Sequence, residues 1–182
     1  KDINFNYCVG YGATECAPIL AYEDWTKFKQ GSCGKAAPRM TLKIDSTDPQ
    51  NIPGEILAKG DNVMLGYLGD TARTERVLRD GWYYTGDIGK LDADGYLTVE
   101  GRRENCIETA GGRLICPEAL ERLLCQSPLI KEAAVVGAFD PEIRDSRPVA
   151  LIRIDDDYAV ELFGHRASEE EEDLMIDEWI EE

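Results

Sequence analysis

Asp87 and Arg102 are the residues of this sequence best placed to grip a small polar molecule, an acid and a base on either side of a stretch that reads as a hairpin. An ionised Asp only accepts hydrogen bonds, so one carboxylate can take both hydroxyls of a vicinal diol, while Arg stays charged and offers a rigid fork of donors to nearby oxygens. Asp87 ends the run Gly81-Trp82-Tyr83-Tyr84-Thr85-Gly86-Asp87, and Arg102 follows Gly101. Such a pair suits the ribose of a nucleotide. A second group, Tyr11-Gly12-Ala13-Thr14-Glu15, supplies an aromatic plate for a purine, a glycine for close backbone approach, a hydroxyl for a phosphate oxygen and a carboxylate. Glu15 is a candidate ligand for Mg²⁺, which takes only one or two carboxylates beside substrate phosphates. The same five residues also fit a plain strand-to-loop turn carrying a surface glutamate.

The elements that must position these groups are legible from pattern. Ile3 to Val9 alternates apolar and polar residues and is expected to be a buried strand ending at Gly10-Tyr11-Gly12, with a turn rather than a helix after it. Thr41 to Asp45 and Glu55 to Lys59 read as strands divided by Pro49 and Pro53-Gly54, and Met64 to Tyr67 as a further short element. Ala72 to Leu78 reads as helical. Strands follow over Trp82 to Thr85, near Ile88 to Leu91 and over Tyr96 to Val99, with Asp92-Ala93-Asp94-Gly95 as the hairpin turn that returns Arg102 toward Asp87. Farther on, Gly111-Gly112 reads as a turn, Pro117 as the first position of a helix bearing Ala119, Leu120, Leu123 and Leu124, and Ala133 to Phe139 and Pro148 to Ile154 as strands. Ser168 and Glu171 form a capping box for a last helix through Met175, Ile176, Trp179 and Ile180, in which Glu169 to Glu172 make a solvated first turn.

Composition narrows the chemistry. The 182 residues are 43% hydrophobic and carry a formal net charge of −16, enough apolar content for a core and the wrong sign for nucleic acid or an anionic membrane. No apolar run approaches the roughly 20 residues of a transmembrane helix and no signal peptide is evident, so a cytoplasmic setting is expected. The six cysteines contain no C-x-x-C pair and the single histidine, His165, is remote from them, which argues against zinc and against a histidine-dependent triad. They are expected to be small buried hydrophobes in a reducing compartment.

The ordered series Y-G-A-T-E, G-E-I-L-A-K-G with V-M-L-G-Y, D-G-W-Y-Y-T-G-D, G-R and P-E-A-L-E resembles the adenylate-forming acyl-CoA synthetase superfamily, over about Tyr7 to Gly137. Glu15-Cys16-Ala17-Pro18 and Gly31-Ser32-Cys33-Gly34-Lys35 resemble its long-chain fatty-acid CoA ligase branch. The resemblance implies an α+β chain, with residues 1–102 as the β-rich end of a large adenylation domain and 103–182 as a truncated small lid domain. It implies Tyr11 and Gly12 against adenine, Thr14 on phosphate, Glu15 on Mg²⁺, and Asp87 and Arg102 on the ribose, with Thr14 and Glu15 as the catalytic pair. Glu104 falls at the family's hinge, where Asp or Lys is more usual, and Gly111-Gly112 matches a loop carried toward coenzyme A. ATP, Mg²⁺, coenzyme A and a fatty acid are the implied ligands, and the longer enzyme is open to peripheral membrane contact. The Ser/Thr/Gly-rich phosphate loop and the lysine that meets the reacting carboxylate are not found in these residues, so the chain is expected to be a piece of the enzyme and inactive alone. An acyl-AMP ligase, a carrier-protein-loading adenylation domain and a non-catalytic interaction protein on the same scaffold are the alternatives.

Overall fold

The structure is a computed structural model and describes residues 7–163. The expected start of the first strand, His165, the capping box at Ser168 and Glu171 and the helix through Ile180 lie outside the described residues. The chain divides between Cys106 and Ile107 into two compact units.

The first unit begins with β1 (Gly10–Gly12), a 3-10 turn (Thr14–Cys16) and β2 (Ile19–Tyr22), and β2 pairs on its other side with β3 (Lys35–Ala36). The expected strand up to Val9 is displaced: Tyr7 to Val9 have no regular structure, Tyr7 is 58% exposed, and pairing starts only at Gly10 opposite Tyr22. Alternation alone does not make a strand when no neighbour accepts its hydrogen bonds. β4 (Met40–Asp45), β5 (Gly54–Gly60), the helix α1 (Thr71–Val77), β6 (Leu78–Arg79), β7 (Trp82–Leu91) and β8 (Leu97–Arg102) follow. They build an antiparallel five-stranded sheet ordered β4-β5-β7-β6, with β8 paired to the second half of β7.

Both faces of the short strand β2 are used. Leu20 packs with Cys16, Ala58 and Tyr83, and the next residue, Ala21, packs with Ile44, Ile56 and Leu97. Each fully buried Leu or Ile contributes roughly 1.5–3 kcal/mol relative to exposure, so these two clusters hold the small sheet onto the large one. Gly34 makes the approach feasible: its φ is +87°, and a Cβ there would lie 2.2 Å from the Tyr22 carbonyl carbon. Its carbonyl accepts from the Leu97 amide at 2.8 Å, and Cys33 donates back to Leu97 at 2.7 Å.

Helix α1 starts where Asp70 accepts from the Arg73 amide at 2.9 Å, an N-cap on a helix too short to be stable by itself. The residues Met64 to Tyr67, expected as a regular element, form a loop instead. Its amides are satisfied irregularly, Met64 donating to the Glu15 carbonyl at 2.8 Å and Tyr67 to the Thr74 hydroxyl at 2.9 Å.

The second unit holds β9 (Ile107–Glu108) paired with β10 (Leu114–Ile115), α2 (Pro117–Leu124), β11 (Ile130–Asp140), β12 (Asp145–Ile154) and α3 (Asp156–Phe163). β11 and β12 form a long antiparallel hairpin, and the Glu121 carboxylate of α2 accepts from the Val135 amide at 2.9 Å. Pro117 occupies the first turn of α2, as its fixed φ and missing N–H favour. Gly111-Gly112 lies in a turn closed by Thr109 and Arg113, with Gly112 at φ +74°. Strands dominate both units, giving the expected α+β class.

Cys16 and Cys116 are buried, but Cys8 and Cys125 are exposed, which corrects the expectation that all six are core residues. Cys125 caps α2 beyond its apolar stripe, and Cys8 precedes the first paired residue. Among the described residues no helix is long and apolar enough to cross a membrane.

Candidate functional site

The hairpin of β7 and β8 puts Asp87 directly opposite Arg102 in the antiparallel register. The turn that fixes this register is held by Asp92, whose carboxylate accepts from the amides of Asp94 and Tyr96, both at 2.9 Å, with Gly95 at φ +82°. Lys29 pairs with Asp92 from outside the hairpin and, with those backbone bonds, holds its carboxyl below the usual range. At the other end of the ribbon, the Arg102 guanidinium lies 3.0 Å from Asp87 Oδ1. The Asp87 side chain is 13% exposed and that of Arg102 is 58% exposed.

Two buried contacts pin the backbone at this point. Thr85, 7% exposed, donates its hydroxyl to the Ile56 carbonyl at 2.8 Å and accepts from the Asp87 amide at 3.0 Å. Glu55 accepts from the Gly86 amide at 3.1 Å through one oxygen, and its other oxygen lies 3.7 Å from Arg103. Gly86 itself has φ +74°, a conformation that L side chains rarely adopt, so the chain bends between two anchored neighbours.

Tyr11 reaches the same carboxylate: its phenol donates to Asp87 Oδ2 at 2.6 Å. Burial, and then this bond to a carboxylate, push the Tyr11 phenol far above its ordinary pKa. The ring packs against both buried clusters. Among the described residues each Asp87 oxygen therefore serves one protein donor. Since a carboxylate has about four lone-pair sites, the arrangement retains one acceptor direction on each oxygen, the number that two adjacent hydroxyls require.

Thr14 and Glu15 occupy the 3-10 turn after β1, with Thr14 exposed. Ala17 closes the turn in the left-handed region at φ 48°, and Ala13 donates to the Pro18 carbonyl at 2.8 Å. Gly12 is required here because a Cβ on it would lie 1.9 Å from that same Pro18 oxygen. Glu15 accepts from the Tyr67 phenol at 2.8 Å, and this bond is the main reason its carboxyl titrates below the ordinary value. The Arg73 guanidinium lies over the Tyr67 ring, 4.0 Å from its centre.

A cavity of about 540 Å³ adjoins these groups. Glu15, Arg102 and Glu104 line it, and Tyr11 and Asp87 are tied to it through Arg102. Gly111 and Gly112 belong to the second unit. Pattern reading did not single out Glu55, Tyr67, Arg73 or Arg79, although the spacing Arg73, Arg76, Arg79 at i, i+3 and i+6 would have signalled a shared face. Among the described residues there is no group of three or more His, Cys, Asp or Glu able to cage a metal. A lone ionised carboxylate such as Glu15 fits Mg²⁺ that arrives with phosphates, and does not fit a resident structural metal.

The family model for AMP-binding enzymes matches residues 3–68. The chain is 45% identical over 136 residues to indoleacetate–CoA ligase of Aromatoleum aromaticum, covering 71% of this chain and 26% of that protein. It is 39% identical over 146 residues to the long-chain-fatty-acid–CoA ligase FadD15 of Mycobacterium bovis, covering 80% of this chain and 22% of that one. Among solved structures it superimposes on o-succinylbenzoate–CoA synthetase from Bacillus subtilis in complex with AMP, with a TM-score of 0.69 at 31% identity, over 85% of this chain and 34% of that one. The same synthetase in complex with ATP and a magnesium ion gives 0.68 at 29% identity, over 90% of this chain and 36% of that one. The chain thus spans about a quarter of the length of these two curated relatives. The ordered motifs, the strand-rich fold and these likenesses together make the chain a partial member of the adenylate-forming, AMP-binding acyl-CoA synthetase superfamily.

Proposed function

We propose that the chain is the ribose-binding part of an ATP-dependent acid–CoA ligase. Such an enzyme joins a substrate carboxylate to the α-phosphorus of ATP with loss of pyrophosphate, and then passes the acyl group to the thiol of coenzyme A with release of AMP. The observation that carries this reading is the Asp87 carboxylate, held by Arg102 on one oxygen and Tyr11 on the other, with acceptor capacity for a diol. Asp87 and Arg102 orient the ribose, Tyr11 and Gly12 border the adenine, and Thr14 donates to phosphate. Glu15 would hold Mg²⁺, which supplies charge neutralisation at the phosphates when bound. The chemistry asks for positioning and electrostatics and for no protein nucleophile, in keeping with a site built from Asp, Arg, Tyr, Thr and Glu.

A long-chain fatty acid is the acid we infer, on the strength of the Glu15 to Pro18 and Gly31 to Lys35 stretches. The acidic composition and the absence of a C-x-x-C pair suit a cytoplasmic setting. Acid-dependent ATP–pyrophosphate exchange is the test, run on the protein at its natural length with fatty and aromatic acids side by side. Exchange with a fatty acid supports the reading, exchange only with aromatic acids overturns the acid assignment, and no exchange with any acid by folded protein overturns the activity. The 182 residues alone are expected to show none, because they contain no Ser/Thr/Gly-rich loop ending in Lys.

Glu104 sits in a 3-10 turn (Arg103–Asn105) immediately after β8, where two or three residues can absorb a change in backbone dihedrals. In this reading it is the hinge, and the Gly111-Gly112 turn serves the thioester step. Glu104→Pro in the full-length enzyme is expected to leave pyrophosphate exchange within about twofold and slow thioester formation about tenfold or more, as hinge changes do. Equal losses in both half-reactions count against a hinge.

A further inference from the structure

The hairpin of β9 and β10 has a cysteine on each side of its base. Cys106 directly precedes β9 and Cys116 directly follows β10. The strands pair Glu108 with Leu114 and Ile107 with Ile115, so one further step of the same register sets Cys106 opposite Cys116. Both residues keep an extended backbone, Cys106 at φ −64° and ψ 138° and Cys116 at φ −86° and ψ 113°, and so continue the strand geometry. The placement follows from the hairpin alone, because each cysteine is one peptide bond from a paired residue.

The turn decides which kind of pair this is. Thr109 donates its amide to the Arg113 carbonyl at 3.0 Å, and Gly112, at φ +74°, donates to the Thr109 carbonyl at 2.8 Å. Antiparallel ladders alternate, so with Thr109 hydrogen-bonded to Arg113, Ile107 and Ile115 form the next hydrogen-bonded pair and Cys106 meets Cys116 in a non-hydrogen-bonded one. Cα atoms in such a pair are about 4.5 Å apart and their side chains project to the same face, inside the roughly 4.4–6.8 Å that a disulfide spans. The two sulfurs differ in access. Cys116 is 5% exposed, whereas Cys106 is partly exposed and its thiol donates to the Arg102 carbonyl at 3.3 Å.

We propose that Cys106 and Cys116 are a reversible oxidation site, a dithiol that closes to a disulfide by exchange with a low-molecular-weight disulfide such as oxidised glutathione. The Cys106 sulfur attacks one sulfur of the reagent: the reagent's S–S bond breaks, a mixed disulfide forms at Cys106, and one thiol leaves with the Cys106 proton. The Cys116 sulfur then attacks the Cys106 sulfur and displaces the second thiol, which takes the Cys116 proton. The two cysteines together lose two electrons, and the reagent is reduced to two thiols. In a reducing compartment such a bridge is transient, which makes it a signal and not a staple. Its effect rests on the hinge reading of Glu104. Closure removes the S–H donor that ties Cys106 to Arg102 across the hinge turn (Arg103–Asn105), and it joins the two ends of the segment that carries Gly111-Gly112. The oxidised form is therefore expected to slow thioester formation and to spare adenylation.

Equilibration of the full-length protein with mixtures of reduced and oxidised glutathione, followed by acid quenching, alkylation in denaturant and peptide mass spectrometry, reads the bridge without reference to activity. The expected product is a linked Cys106–Cys116 peptide lighter by two hydrogens, returned to two alkylated thiols by dithiothreitol and absent from Cys116→Ser. No such peptide from folded protein, or glutathione retained on Cys106 while Cys116 stays alkylatable, overturns the site. Both half-reactions are then followed on the oxidised protein. Thioester formation is expected to fall about tenfold and pyrophosphate exchange to stay within about twofold, as for a restrained hinge. Dithiothreitol is expected to reverse the loss, and Cys116→Ser to ignore the oxidant. A bridge that forms and leaves both half-reactions unchanged supports the oxidation site and overturns its control of the thioester step. A bridge in folded protein that shows no exchange when reduced supports the site and removes the ligase reading.

Discussion

Asp87→Ala is expected to lower kcat/KM for adenylation in the full-length enzyme about 100-fold, the equivalent of two charge-assisted hydrogen bonds at ~1.5 kcal/mol each. The same change strips the acceptor from the largely buried Tyr11 phenol, adding roughly 1–3 kcal/mol of lost stability. The Arg102 contact adds little to that figure, since its guanidinium is 58% exposed and such pairs contribute about 0–1 kcal/mol. Asp87→Asn separates the two effects. Its amide oxygen can still accept from Tyr11, so it is expected to unfold close to the parent temperature while binding AMP about tenfold more weakly, the loss of one charge-assisted interaction. Parent-like AMP affinity in a folded Asp87→Ala protein would sink the ribose assignment.

Gly12→Ala is expected to destabilise the first unit by about 3 kcal/mol, at the upper end of what overpacking costs. The new methyl carbon would lie 1.9 Å from the Pro18 oxygen and 2.8 Å from its carbonyl carbon, and both are backbone atoms of the adjoining turn. Relief requires β1 to move away from β2, and β1 carries Tyr11. Binding should therefore weaken together with stability. Gly10→Ala is the control on the same strand: its nearest neighbour, the Ala21 oxygen, is 3.4 Å from the added carbon, an ordinary contact. Chemical denaturation of both variants reads the difference, and equal midpoints would show that the strand pair is looser than its geometry.

Local signals carried most of the fold that was legible in the sequence. Asp92-Ala93-Asp94-Gly95 is a turn whatever surrounds it, because Asp92 caps two amides and Gly95 accepts a positive φ, and it brought Asp87 and Arg102 into the expected register. Pro117 marked a helix in the same local way. β2 was missed because Ile19 to Tyr22 is only four residues long and buried on successive positions, so it shows no alternation. Helix α3 was missed because Asp155, Asp156 and Asp157 look like loop, although Asp155 accepts from the Asp157 and Tyr158 amides to start it. The site divides similarly. Tyr11, Glu15, Asp87 and Arg102 could be named from motif, but Tyr67 on Glu15 and Arg79 on Tyr84 depend on contacts between distant segments, which no spacing in the chain encodes.

The Asp87–Arg102 pair joins two strands that are hydrogen-bonded to each other, and a buried threonine ties its base to the central strand β5. The spacing of the two halves is therefore set by strand register within one sheet, so they form an anvil and not a pair of jaws. For the proposed nucleotide site this means that capture and release are timed by chain outside the sheet, and β8 ends at Arg102 itself.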